Sequence, residues 1–139
     1  MKKLLIAVLA LGSLSSFACV DISGKYLCPV EAEEEFGERT VQFKKSPILD
    51  MYSMKVGNDA IMFELGAWNP GIDPNSGEID HSVETMAECQ GNTVILKIRG
   101  DRENETFVGS FDVTKKTNGI NLSVKNEGKE TYNFDCVKQ

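Results

Sequence analysis

The chain of 139 residues carries 21 acidic against 15 basic side chains, a single histidine and four cysteines, with a formal net charge of −6. A surface of that sign repels nucleic acid and anionic membrane, so neither is expected as a partner. The length holds one domain with a sizeable core, and no stretch approaches the roughly 20 apolar residues that span a bilayer.

The first elements are "MKKLLIAVLALGSLSSFAC": Lys2 and Lys3, an apolar run from Leu4 to Leu11, and small residues before a cut after Ala18. This predicts a secretory signal peptide over 1–18, leaving 19–139 as a single β-barrel domain, secreted or periplasmic. Its removal takes the net charge from −6 to −8, since it holds two lysines and no acid. Cys19 follows the cut directly, where a bacterial lipoprotein carries its lipid. The residue three before it is Ser16 rather than Leu, and Phe17 is bulky, so ordinary export is expected and a lipid on Cys19 is the alternative.

From there the pattern alternates with period two, the signature of half-buried strands. "VDISGKYLC" sets Val20, Ile22, Gly24, Tyr26 and Cys28 on one face. "VEAEEEFGER" reads as a solvated acidic loop. "TVQFK", "MYSMKV" and "AIMFEL" follow, with Val41 and Phe43, then Tyr52, Met54 and Val56, then Ile61, Phe63 and Leu65 facing inward. "GAWNPGIDPNSGEIDHS", with Pro70, Pro74 and two Gly-containing turns, reads as the one long loop. Beyond it come "SVETMAEC", "TVILKI", "TFVGSFDV", "INLSV" and "TYNFDCV", separated by turns such as "QGN" and "KKTNG". The fold class is therefore all-β: about eight strands in an antiparallel up-and-down meander, closed into a small barrel that leaves no exposed edge.

An exported chain with Cys19, Cys28, Cys89 and Cys136 is expected to form two disulfides, for which three connectivities exist. In a closed even-stranded barrel the start of the first strand lies beside the end of the last. That favours Cys19 with Cys136 and leaves Cys28 to Cys89. The competing Cys28 with Cys136 pair needs those strands offset by several residues.

Catalytic chemistry finds little support. His81 has Asp80 and Ser82 as neighbours, but adjacent strand residues point to opposite faces and cannot form a nucleophile relay. Glu64, alone in "IMFEL", has the outward parity and is expected to face water rather than act as a pocket acid. "DPNSGEIDHSVE" fails the calcium-loop template. Counted from Asp73, its sixth, eighth and twelfth positions hold Glu78, Asp80 and Glu84, and only the last fits. The expected protein is not an enzyme and has neither metal nor cofactor.

"ISGKYLC", followed by a meander and a late cysteine, resembles the small lipocalin-like barrels, with Gly24-Lys25-Tyr26 in the place of their Gly-x-Trp. That resemblance implies a hydrophobic small molecule in the barrel mouth. Tyr26 to Cys28 with the C-terminal cysteine is also similar to periplasmic inhibitors of c-type lysozyme, which implies a basic protein partner.

The inward aromatics Tyr26, Phe43, Tyr52, Phe63, Phe111 and Phe134 are the candidate ligand cup, and Gly24 and Gly109 on the same face are read as leaving room in it. Trp68, Asp73 and His81 of the long loop are the candidate rim or partner contact. The expected function is a monomeric secreted or periplasmic binding protein carrying a small apolar ligand. A protein-interaction module acting through residues 66–82, such as an enzyme inhibitor, and a structural envelope protein without ligand are the alternatives.

Overall fold

The computed structural model describes residues 19–139; the expected signal peptide, 1–18, lies outside the described residues. Ten strands and one short helix follow in order: β1 (Gly24–Leu27), α1 (Ala32–Phe36), β2 (Thr40–Lys45), β3 (Met51–Val56), β4 (Asp59–Glu64), β5 (Asn69–Ile72), β6 (Ile79–Gln90), β7 (Thr93–Arg102), β8 (Glu105–Lys116), β9 (Gly119–Asn126) and β10 (Lys129–Lys138). They form one antiparallel sheet in the order β4-β3-β2-β1-β10-β9-β8-β7-β6-β5. The alternating runs of the sequence thus become a meander whose first and last strands pair, as expected. Among the described residues no helix is long and apolar enough to cross a membrane.

The expected closure does not occur: the sheet is open between β4 and β5. Near the end of β4 the two margins are tied by a parallel bridge of Leu65 with Ala87, an N–H of Gly66 donating to the Ala87 carbonyl at 2.9 Å, and the Thr85 hydroxyl donating to the Met62 carbonyl at 2.6 Å. Among the described residues no backbone pairing joins the start of β4 to β5. β5 is four residues long, and Pro70 offers no N–H to a ladder. A bulge between Pro70 and Gly71 bends it further. Gly71 itself has no room for a side chain, because a Cβ there would meet Val83 Cγ2 at 2.5 Å.

Alternate connections share an end of an antiparallel meander. The β2–β3, β4–β5, β6–β7 and β8–β9 turns lie at one end, here called lower, and α1 with the β3–β4, β5–β6, β7–β8 and β9–β10 turns lies at the upper end. The concave face holds the core. Its lower part is filled by Phe43, Tyr52, Phe63, Val94, Leu96, Val113, Ile120 and Leu122, all buried, with Tyr26 packed on Phe43 at a centroid distance of 6.2 Å. Buried aromatic side chains here occupy the space between strands, as in any small β core.

Both cysteine pairings differ from expectation: the bonds are Cys19–Cys89 and Cys28–Cys136, with Cα separations of 5.4 and 4.1 Å. Register is the reason. β1 overlaps only the last residues of β10, with Tyr26 opposite Lys138 and Leu27 opposite Val137, so the next step places Cys28 opposite Cys136. In that register Cys19 falls past the chain's end and meets the end of β6 instead. Its sulfur is thereby occupied, which leaves no thiol for a lipid.

The acidic stretch is not a plain loop. Residues 28–39 are closed by the Cys28 N–H to the Arg39 carbonyl at 2.8 Å and by Arg39 Nε to the Cys28 carbonyl at 3.0 Å. Within them α1 buries Ala32 and turns Phe36, four positions on, toward the core. Gly37, at φ 72°, caps it by donating its N–H to the Glu33 carbonyl.

Two core tyrosines differ in one bond. The Tyr26 hydroxyl donates to the Ile22 carbonyl at 2.8 Å, whereas the buried Tyr52 hydroxyl has no hydrogen-bond partner. Tyr26→Phe is therefore expected to cost about 1 kcal/mol and Tyr52→Phe to gain about 1 kcal/mol in urea unfolding, since only the first removes a made bond. Equal effects of the same sign would sink that contrast. Burial pushes both phenols above their ordinary value of 10.0. Their neutral forms are favoured in the folded state, so this contribution is intact below pH 10 and is lost as pH rises beyond it.

Candidate functional site

The core does not fill the upper end of the concave face. Inward positions there alternate up each strand: Tyr52, Met54 and Val56 on β3; Phe63, Ile61 and Asp59 on β4; Leu96 and Ile98 on β7; Val113 and Phe111 on β8. Toward the top the side chains become shorter and half-exposed, and a cleft of about 350 Å³ opens between β3–β4 and β7–β8. Met54, Val56, Ala60, Ile61, Ile98, Phe111 and Phe36 line it, with Asp59 as the one charged lining residue among the described residues.

Phe36 supplies one wall. Its ring lies 6.2 Å from Phe111 and 6.1 Å from Phe134, and Phe134 stacks on Tyr132 at 5.6 Å. Such aromatic contacts hold the ring in place from the side facing β8 and β10. The Cys28–Cys136 bond anchors the chain four residues before α1, so the disulfide and the aromatic group together set the wall's position.

The six aromatics expected as the cup divide. Tyr26, Phe43, Tyr52 and Phe63 are solid core beneath the cleft, and Phe134, at 4% exposure, supports Phe36 from behind. Only Phe111 lines the cleft. The residues missed are Phe36, Met54, Val56, Ile61 and Ile98, most of which carry the inward parity visible in the sequence. Gly109 pairs with Ile98 beside the cleft, but a Cβ there would crowd the Lys125 carbonyl at 3.3 Å, so its bareness serves strand approach. Gly24 lies at the lower end, where a Cβ would meet Lys138 Cε at 3.0 Å, and opens no space in the cleft.

The expected long loop is a hairpin instead. β5 and β6 are joined by a short turn in which the Asp73 N–H donates to the Glu78 carbonyl and Asp73 Oδ1 accepts from the Asn75 N–H at 2.8 Å. Trp68 precedes β5 and is half-buried, with the Arg99 guanidinium 3.8 Å from its ring centroid. Arg99 in turn pairs with Glu84 at 3.2 Å. The tryptophan is therefore a packed cation–π partner of β7 and not a rim residue of the cleft. His81 is exposed on β6. Trp68 lies before β5, Asp73 in the β5–β6 turn and His81 on β6, and none lines the cleft.

Asp80 accepts both the hydroxyl and the N–H of Ser82, at 2.5 and 2.9 Å, which holds its carboxyl below the usual range. Those bonds bypass His81, so no relay forms through it. Glu64, expected to face water, is half-buried and accepts a hydrogen bond from the Asn69 amide. Among the described residues no group of three or more His, Cys, Asp or Glu is placed to hold a metal ion.

A second cavity of about 420 Å³ lies in the open seam, lined by Ala60, Ile61, Gly71, Ile72, Ile79 and Val83 together with Asp73, Glu78 and Asp80. It shares Ala60 and Ile61 with the cleft, so the two adjoin at the start of β4. No protein-family model and no curated protein matches the chain.

Proposed function

We propose that the protein is a secreted or periplasmic, non-catalytic binding protein that holds a small apolar ligand in the cleft between β3–β4 and β7–β8. The observation that carries this reading is the cleft's composition: apolar walls continuous with the core, open at the upper end of the concave face. A pocket of this size and lining is the usual form of a small-molecule site. The two disulfides suit an oxidising compartment outside the cytoplasm. Binding in a barrel-like mouth is what the lipocalin-like resemblance implies. A protein contact through residues 66–82 has less support, because Trp68 is engaged by Arg99 and the segment is a paired hairpin.

A neutral apolar fluorophore such as N-phenyl-1-naphthylamine is expected to bind with one site per chain. Val56→Trp, which places a large side chain in the cleft from a half-exposed position, is expected to weaken that binding about tenfold or more, a loss of about 1.4 kcal/mol. The thermal midpoint is expected to move by only a few degrees. Unchanged affinity in Val56→Trp overturns the assignment of the cleft. With a ligand that does not absorb where tryptophan emits, such as decanol, Trp68 emission is expected to stay nearly constant on binding; a strong change favours the 66–82 hairpin instead.

A further inference from the structure

We propose that the ligand of this cleft is a cationic amphiphile: an apolar body seated between β3–β4 and β7–β8, with a positively charged head at the upper mouth beside Asp59. The inference rests on the apolar-ligand reading above and adds the chemical class of the head group.

Asp59 has the same inward parity on β4 as Ile61 and Phe63, and it stands at the strand's upper end opposite Val56. It therefore occupies the interior column where the apolar wall stops and solvent begins. Among the described residues it takes part in none of the ion pairs, which join Lys97 to Glu88, Arg99 to Glu84 and Lys125 to Asp112. Among the described residues no lysine, arginine or histidine lines either the cleft or the adjoining seam cavity.

The surroundings carry the same sign. Across Ala60 and Ile61 the seam cavity presents Asp73, Glu78 and Asp80. On the other side α1, which sends Phe36 into the cleft, has Glu33, Glu34 and Glu35 in its first turn and no basic residue in its last. Exposed lysines lie at both ends, Lys44, Lys45, Lys115, Lys116 and Lys138 at the lower and Lys55 and Lys129 at the upper. The charged residues that line the two cavities, Asp59 in the cleft and Asp73, Glu78 and Asp80 in the seam, are nevertheless all acidic among the described residues.

Charges at the lip of a low-dielectric cleft focus their field into it. A fatty acid or another anionic amphiphile entering tail-first would bring its head against Asp59, with no cation among the described lining residues to receive it. A quaternary or primary ammonium head finds a carboxylate at the place where its tail ends. The apolar walls contribute the same to either, so the selectivity lies in the head.

Matched twelve-carbon probes test this: dodecyltrimethylammonium, dodecyl maltoside and dodecyl sulfate, each below its micellar concentration, competing with N-phenyl-1-naphthylamine. The cationic probe is expected to bind at least tenfold more tightly than the anionic one. That gap is expected to shrink as salt rises from about 0.01 to 0.5 M, since the pair at the lip is solvent-accessible. Asp59→Asn is expected to narrow it several-fold and Asp59→Lys to reverse it, with circular dichroism confirming the fold in each.

Equal affinity for all three probes overturns the cationic head while leaving the apolar site standing. Failure of all three to bind overturns both. An unchanged preference in Asp59→Lys overturns the role of Asp59. Binding of a basic amphipathic peptide far more tightly than dodecyltrimethylammonium replaces the small amphiphile with a protein segment.

Discussion

Replacing Cys28 and Cys136 together by alanine is expected to lower the unfolding free energy by about 3–5 kcal/mol, read from urea midpoints at constant slope. The bond spans 108 residues and the Cys19–Cys89 bond 70. In the chain-entropy account that difference in loop length amounts to only ~0.4 kcal/mol, so the two double variants should lose similar stability. Function separates them. β1 is held to β10 by only two register pairs, Tyr26 with Lys138 and Leu27 with Val137, before the disulfide takes over at the next position. α1 begins four residues later and carries the Phe36 wall of the cleft. Below its melting transition the Cys28/Cys136 variant should therefore bind apolar probe more weakly, whereas the Cys19/Cys89 variant, altered at the lower end, should bind as before. Equal binding by both folded variants would show that the disulfide does not position Phe36. A change in midpoint worth under about 0.5 kcal/mol for Cys28/Cys136 would contradict the energetic estimate.

The strands were legible because alternation states which side chains share a face, and that is what places Tyr26, Phe43, Tyr52 and Phe63 in one core. Alternation is silent on how the ends of a sheet meet. β5 contains Pro70 and Gly71, both poor strand residues; it is a strand because β6 runs past it, a fact of pairing that no local pattern carries. The same ignorance of register misassigned the cysteines, since a four-residue β1 overlapping only the tip of β10 reverses the choice of partner for Cys28. In the candidate site size matters as much as parity: large inward aromatics fill space, and the opening lies where the inward column shortens to Val56, Ile61 and Ile98. Phe36 was concealed by the glutamates around it. The four-residue spacing of Ala32 and Phe36, two apolar positions on one helix face, was the available signal.

Phe63→Ala is expected to cost about 3–5 kcal/mol, because the removed ring is fully buried and leaves a void in a close-packed core. Where in that range it falls depends on how far the site can collapse. Phe63 lies on β4, an edge strand of the open sheet, tied across the seam by the Thr85 hydroxyl and by the Leu65 and Ala87 bridge. Such a strand can move inward more readily than β7, which is paired on both sides. Phe63→Ala should accordingly cost less per lost atom than Leu96→Ala on β7. The void also has a direction. Phe63 sits next below Ile61 on the inward face, so its removal deepens the cleft toward Tyr52. A long-chain apolar ligand should then restore stability to Phe63→Ala more than to the unsubstituted protein; at 100 times its dissociation constant a ligand contributes about 2.7 kcal/mol, and a tighter fit contributes more at the same concentration. Thermal midpoints measured with eight- and sixteen-carbon probes decide the matter. A gain that grows with chain length only in Phe63→Ala shows that the cleft's floor is this ring, and the same gain in both proteins places the floor elsewhere.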